Sequence, residues 1–167
     1  MTGIELARFT VAATLAVVLV LISVSDAMHR RIPNTGILAL AGLFVTWTAL
    51  NHGVGLVSAL EAFAISLVVT GVLYAFKVIG AGDSKLFTVA ALFTGMTNLP
   101  LMALVTVIIG GAIALAIMIM RPVRGIVMLQ MRGRGDWGRG IPYGVPISIA
   151  CAGVVWASLL DLLPRAS

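Results

Sequence analysis

Two aspartates carry the strongest chemical signal in this sequence. Asp26 ends one apolar run, Asp83 opens another, and the 167 residues include only six Asp and Glu. A carboxylate close to apolar segments is costly unless it is paired, hydrated or neutralised. Two carboxylates beside one water molecule can hydrolyse a peptide bond: the ionised group takes a proton from the water, and the protonated group gives one to the carbonyl oxygen or leaving nitrogen. Asp26 and Asp83 are therefore a candidate catalytic pair.

Each aspartate belongs to a distinctive local sequence. Asp26 is followed six positions later by Ile32-Pro33-Asn34, and Asp83 lies within Gly80-Ala81-Gly82-Asp83-Ser84-Lys85-Leu86. Gly80 and Gly82 lack Cβ atoms, so we expect them to allow positive φ and the close approach of a substrate backbone. Lys85 could orient the substrate or the pair, or simply extend its charge to the membrane surface.

A third block, Ile141-Pro142-Tyr143-Gly144, precedes the last apolar run. Pro142 and Gly144 could shape the site or simply start the following helix. Glu61 lies inside an apolar run and is a functional candidate by default, although we favour a structural role in which it reaches the interface or bonds to Ser58.

Composition identifies the class of protein that must position these residues. The hydrophobic set makes up 60% of the chain and charged residues 10%, whereas an ordinary soluble domain is about 25% charged. The mean hydropathy is +1.13. This is the composition of a membrane protein, and its one cysteine, Cys151, excludes a disulfide framework and a cysteine-rich zinc site.

Six apolar runs predict an all-α, polytopic membrane protein with six transmembrane helices in a single membrane-embedded domain, 1–167. The runs are Phe9 to Ser25, Thr35 to Leu50, Val54 to Phe76, Leu86 to Met96, Leu101 to Met120 and Tyr143 to Leu163. Turn residues separate them, including Thr97-Asn98-Leu99-Pro100. The fourth helix is short, since the 14 residues from Asp83 to Met96 span about 21 Å. If its inner end is sunk, the Gly-Ala-Gly-Asp turn is irregular backbone facing protein or a water-filled cavity.

The basic residues predict the orientation. Nine of the eleven Lys and Arg fall in the loops after the first, third and fifth runs: Arg30, Arg31, Lys77, Lys85, Arg121, Arg124, Arg132, Arg134 and Arg139. Lys and Arg in short loops mark the cytoplasmic side. Both termini should then lie outside, with Asp26 and Asp83 at the cytoplasmic face. This use of the basic residues also argues against nucleic acid as a partner, and the phosphate-loop spacing is missing.

The three blocks together resemble the type IV prepilin peptidases, the membrane aspartyl proteases with a GxGD motif. The resemblance implies an aspartic-type hydrolase of a bacterial inner membrane that removes the leader of prepilins or prepseudopilins. It implies Asp26 and Asp83 as the catalytic pair and Gly80 and Gly82 as the motif turn, without a cofactor or metal. The chain is compact and its sequence contains no cysteine-rich methyltransferase segment. In both respects it resembles the peptidases of Flp-type (tight adherence) pilus systems.

The sequence is also compatible with two other functions. A small ion- or proton-coupled transporter could use Asp26, Asp83 and Glu61 as relay groups, and a noncatalytic subunit of a pilus or secretion assembly is a third possibility. The arginine-rich segment from Arg121 to Arg139 could contact anionic lipid or hold a substrate tail. Helix ends favour Asp83 as the base, at a helix N-terminus, and Asp26 as the acid, at a C-terminus. The sequence does not fix the oligomeric state.

Overall fold

The computed structural model describes residues 3–29, 31–51, 53, 55–128 and 143–164, without the side chains of 118 and 120–128. These residues form helices and connections and contain no strand. The helices are α1 (Gly3–His29), α2 (Asn34–Leu50), α3 (Leu56–Ala75), α4 (Ala81–Met128) and α5 (Gly144–Leu159).

The all-helical prediction is confirmed for the described residues, and the apolar helices fit a membrane protein. Within the part of the chain that the structure describes, three segments are long and apolar enough to cross a membrane: Gly3–His29, Leu56–Ala75 and Ala81–Ile117. Asn34–Leu50 and Gly144–Leu159 are shorter apolar helices. The count of six crossings therefore stays a prediction.

Gly95 interrupts α4. Its backbone has φ 63° and ψ 176°, the non-helical conformation inside this element. That region of φ and ψ is open essentially to glycine alone. The break predicted at Thr97 to Pro100 is wrong, because those residues lie in the helix that follows Gly95. The chain uses the conformational freedom of one glycine at this point rather than the helix-breaking effect of Pro100.

The two parts of α4, 81–94 and 96–128, run in opposite directions. Asp83 interacts electrostatically with Asp26, and Asp26 bonds to Gly144 at the start of α5. Gly110 also reaches the start of α5, where a Cβ on it would lie 3.1 Å from the Tyr143 ring. An uninterrupted helix would hold Asp83 and Gly110 about 40 Å apart. The reversal at Gly95 brings both to the same end of the bundle, which we call the aspartate end.

Contacts between helices fix how the other elements reach this end. Phe9 of α1 packs against Trp156 of α5, with ring centroids 6.1 Å apart, so α1 and α5 are antiparallel. The Ser58 hydroxyl accepts a bond from the Met96 backbone N–H (3.0 Å), so α3 starts at the opposite end. The buried core includes Leu15, Leu19 and Ile22 of α1, Leu86, Ala90 and Ala91 of α4, and Cys151 and Val155 of α5.

Replacing Gly95 tests the reversal. We expect Gly95→Ala to destabilise the protein by about 1–3 kcal/mol, because an alanine is strained at this φ and ψ. The measurement is the apparent melting temperature in detergent. The matched control is Gly42→Ala, in α2, where an added Cβ meets no atom within 4 Å and a helical alanine is favoured. A Gly95→Ala variant as stable as the Gly42→Ala variant would contradict a reversal at Gly95.

Candidate active site

Asp26 lies in the last turn of α1 and is 5% exposed. Its Oδ2 accepts a hydrogen bond from the backbone N–H of Gly144 at 2.9 Å. Gly144 is the first residue of α5, and the first N–H groups of a helix have no partner within the helix. The buried carboxylate and the helix N-terminus therefore satisfy one another across 118 positions of sequence.

Gly144 has to be a glycine for reasons of space. A Cβ there would lie 2.7 Å from Oδ2 of Asp26 and 3.0 Å from its Cβ and Cγ. Tyr143, beside it, contacts Gly110 of α4. These contacts bring Tyr143 and Gly144 of the third block to the aspartate end, whereas Pro142 lies outside the described residues.

Asp83 lies in the first turn of α4 and is half-buried. Its Oδ2 accepts a hydrogen bond from the backbone N–H of Gly80 at 3.3 Å, and the Gly80 carbonyl accepts one from the Ser84 N–H at 3.0 Å. The side chain thus reaches back to the residue before the helix, as the third residue of a capping box does.

The predicted role of positive φ at the motif glycines is wrong. Positive φ occurs at Gly53, Gly55 and Gly95 among the described glycines, and α4 already begins at Ala81, so the motif is not irregular backbone. Gly80 and Gly82 matter through their missing Cβ atoms. A Cβ on Gly80 would lie 2.8 Å from Oδ2 of Asp83, and one on Gly82 would lie 3.2 Å from Cβ of Ile32.

The first and second sequence blocks touch one another. Besides the contact of Gly82 with Ile32, the Lys85 ammonium donates to Oδ1 of Asn34 at 3.5 Å. Pro33 precedes α2 with an extended ψ of 133°, and its carbonyl accepts bonds from the Gly36 and Ile37 N–H groups. Ile32, Pro33 and Asn34 thus form a short turn that packs against the start of α4.

The structure brings the two aspartates together. They come from helices whose motifs are 57 positions apart, and the charge on Asp26 acts on Asp83. The prediction that Asp26 is the acid rests on its place at the C-terminus of α1. Its carboxylate also receives the N-terminus of α5, and an N-terminus favours negative charge. Helix dipoles therefore do not decide which aspartate is the acid.

A cluster of hydroxyl groups behind Asp83 was missed by the sequence analysis. Ser84 donates to Oγ1 of Thr70 at 2.9 Å, and Thr70 and Thr88 share a hydrogen bond of 3.2 Å. All three side chains are buried. The signal was available, because Ser66 and Thr70, and likewise Ser84 and Thr88, are four positions apart on apolar helices and so share a face. The cluster ties the first turns of α4 to α3.

Other candidate residues lie apart from this arrangement. Glu61 is exposed on α3, near the end where Ser58 bonds to Met96 rather than to Glu61. The side chains from Arg121 to Arg139 are outside the part of the chain that the structure describes. Within the described part of the chain, no group of three or more His, Cys, Asp or Glu residues is arranged to hold a metal ion.

Comparison with known proteins supplies the family. The model of the type IV leader peptidase family matches residues 13–115, a range that includes both aspartates but ends before the third block. Searches of curated proteins and of solved structures each gave no significant match. The family match covers more than half of the chain and indicates a protease. The chain belongs to the type IV leader peptidase family.

Proposed function

We propose that this protein is an aspartic endopeptidase that cleaves the leader of prepilins, of the Flp type, or of prepseudopilins. The observation that carries the proposal is the placement of Asp26 and Asp83 at the same end of the bundle, where Gly82 packs against Ile32 and Asp26 bonds to the start of α5, in a chain of the leader peptidase family. Both carboxylates are held by backbone N–H groups, so their positions are set by the helices rather than by mobile side chains.

The proposed chemistry needs only the two carboxylates and one water molecule. The ionised aspartate takes a proton from the water as its oxygen attacks the scissile carbonyl carbon, and the protonated aspartate gives its proton to the carbonyl oxygen. In the second step the aspartate that took the water proton gives it to the leaving nitrogen as the carbon–nitrogen bond breaks, and the other aspartate takes back a hydroxyl proton as the new carboxylic acid forms. Each aspartate thus ends the cycle in its starting protonation state.

Gly80 and Gly82 serve the packing of the motif in this scheme. The Asp83 carboxylate lies close to where a Cβ of Gly80 would be, and Ile32 lies close to where a Cβ of Gly82 would be, so the two glycines help to fix the position of the carboxylate that a peptide would approach. The scissile bond must be unwound when it arrives, because a regular helix covers its own peptide groups.

The aspartate end also carries positive charge. Arg31 follows α1, Lys77 follows α3, and Lys85 lies in the start of α4, and all three are exposed. Under the rule that basic loops stay in the cytoplasm, this supports an active site at the cytoplasmic face of a bacterial inner membrane. We propose six crossings with both termini outside, with the two antiparallel parts of α4 as separate crossings, and anionic lipid at the segment from Arg121 to Arg139.

Conversion of either aspartate to asparagine tests the catalytic pair. We expect Asp26→Asn and Asp83→Asn each to reduce cleavage of a candidate prepilin at least about 1,000-fold, since removing one member of a catalytic unit can cost about 10⁴- to 10⁶-fold. The measurement is mass spectrometry of the products formed by the purified protein. Glu61→Gln is the matched control, since Glu61 is an exposed acid on α3, and it should cleave like the wild type.

Three results would contradict this function. Cleavage at the wild-type rate by either folded asparagine variant would exclude the two-aspartate mechanism. Proton or ion flux in liposomes that disappears in Glu61→Gln, with no cleavage by the wild type, would instead favour the transporter. Pilus assembly that survives both asparagine substitutions would favour a noncatalytic subunit.

A methyl group at position 144 tests whether the position of Asp26 matters. Gly144→Ala places a Cβ against the carboxylate, so we expect lower cleavage, by at least tenfold, because a displacement near 1 Å can cost about 100-fold in rate. The control is Gly71→Ala, where an added Cβ meets no atom within 4 Å. Full activity in Gly144→Ala would show that the bond between Asp26 and α5 does not set the catalytic geometry.

A further inference from the structure

A groove of about 360 Å³ runs between α1 and α5. Small side chains form much of its lining: the two from α1 are seven positions apart and the three from α5 fall within six positions, spaced so that they lie on one face of each helix. These residues are Ala16 and Ser23 of α1 and Ser148, Ala152 and Gly153 of α5. Val20 and Ile149 also line the groove and are 59% and 49% exposed, so the groove is open along the side of the bundle.

Ser148 marks this groove as more than a gap between helices. The residue is 3% exposed, and its buried hydroxyl has no hydrogen-bond partner among the residues that the structure describes. Buried polar groups nearly always have a partner. A molecule in the groove that offered a hydrogen-bonding group would give the Ser148 hydroxyl a partner. The acyl chain of a lipid has no such group.

The groove leads directly to Asp26. Ser23 precedes Asp26 by three positions, and Ser148 follows Gly144 by four, so each lies one helical turn from the bond between Asp26 and Gly144. Trp156 lines the groove farther along α5 and packs against Phe9. The groove thus follows about 12 Å of α5, from Ser148 to Trp156, and its inner end adjoins a carboxylate of the proposed catalytic pair.

We infer that the groove between α1 and α5 docks the apolar helix that follows the leader of the substrate. This inference rests on the proposed function. Small residues let helix backbones approach closely inside a membrane, and a carbonyl or polar side chain of the docked helix would accept from Ser148. A helix held there presents the chain at its end to Asp26, which explains how one peptide bond is selected.

Cysteine cross-linking tests the docking. Gly153→Cys fits without a clash, because a Cβ there meets no atom within 4 Å, and the native Cys151 is buried. The probe is a candidate prepilin with a basic leader and an apolar segment of about 20 residues, carrying one cysteine at successive positions of that segment. The enzyme variant and probe are oxidised together in membranes, and leader removal is measured in the same sample. Gly42→Cys on α2, equally open, is the matched control.

Docking predicts cross-links from position 153, repeating every three to four positions of the probe, at least tenfold more frequent than from position 42. Cross-linking at 153 without leader removal would support the docking and contradict the proposed hydrolysis. Leader removal without preferential cross-linking at 153 would overturn the docking while leaving the peptidase intact. Absence of both would overturn both, and cross-links without periodicity would show a groove filled by lipid.

Removing the Ser148 hydroxyl gives a second test. Ser148→Ala should raise KM for the full probe about threefold, the typical effect of one hydrogen bond between membrane helices, with kcat unchanged. The KM for a peptide that ends before the apolar segment should stay at the wild-type value. An equal change for both substrates would show a structural role for Ser148 and overturn its contact with the docked helix.

Discussion

The bond between the Asp26 carboxylate and the N-terminus of α5 is the interaction on which the rest of the site depends. An aspartate that is 5% exposed in an apolar bundle needs polar partners close by, and the N–H of Gly144 provides one. A side chain at position 144 would collide with Asp26. Because the residue is a glycine, the end of α1 and the start of α5 can be in direct contact. This contact and the packing of Phe9 against Trp156 make the two helices antiparallel. Between the two contacts, the helices leave the groove that is lined by Ser148.

A second constraint places Asp83 beside this contact. The first part of α4 is tied to α3 by the hydroxyls of Ser84, Thr70 and Thr88 and to the turn after α1 by Gly82 and Ile32. At Gly95 the chain turns back, and the second part of α4 returns to Tyr143. The aspartate end is thus built from α1, both parts of α4 and α5, with each carboxylate at a helix terminus.

Much of this arrangement could be predicted because membrane helices impose strong rules on a sequence. Long apolar runs gave the helices, and alternation of the loops placed the three sequence blocks at one end without any structure. The resemblance to the leader peptidases rested on those blocks, and the family match over residues 13–115 confirms it. The short fourth helix, noted from its 14 residues, corresponds to the part of α4 that ends at Gly95.

The details that could not be predicted depend on tertiary contacts. Glycines at positions 80 and 82 suggested positive φ, but their space is used by Asp83 and Ile32. The sequence left open whether Gly144 shapes the site or simply starts a helix, because only the folded chain shows that Asp26 lies where a Cβ would be. The break is predicted at Thr97 to Pro100 but occurs at Gly95, since a local breaker signal does not show which residue adopts the turn.

We propose that Asp26 and Asp83 act on one water molecule as a unit, and a double variant distinguishes this mechanism from two independent contributions. The measurement is the cleavage rate of Asp26→Asn combined with Asp83→Asn, compared with each single variant on the same prepilin. Groups that act as a unit lose their effect together, so we expect the double variant to be no slower than the slower single variant. Losses that multiply in the double variant would show two independent contributions and contradict the shared-water mechanism.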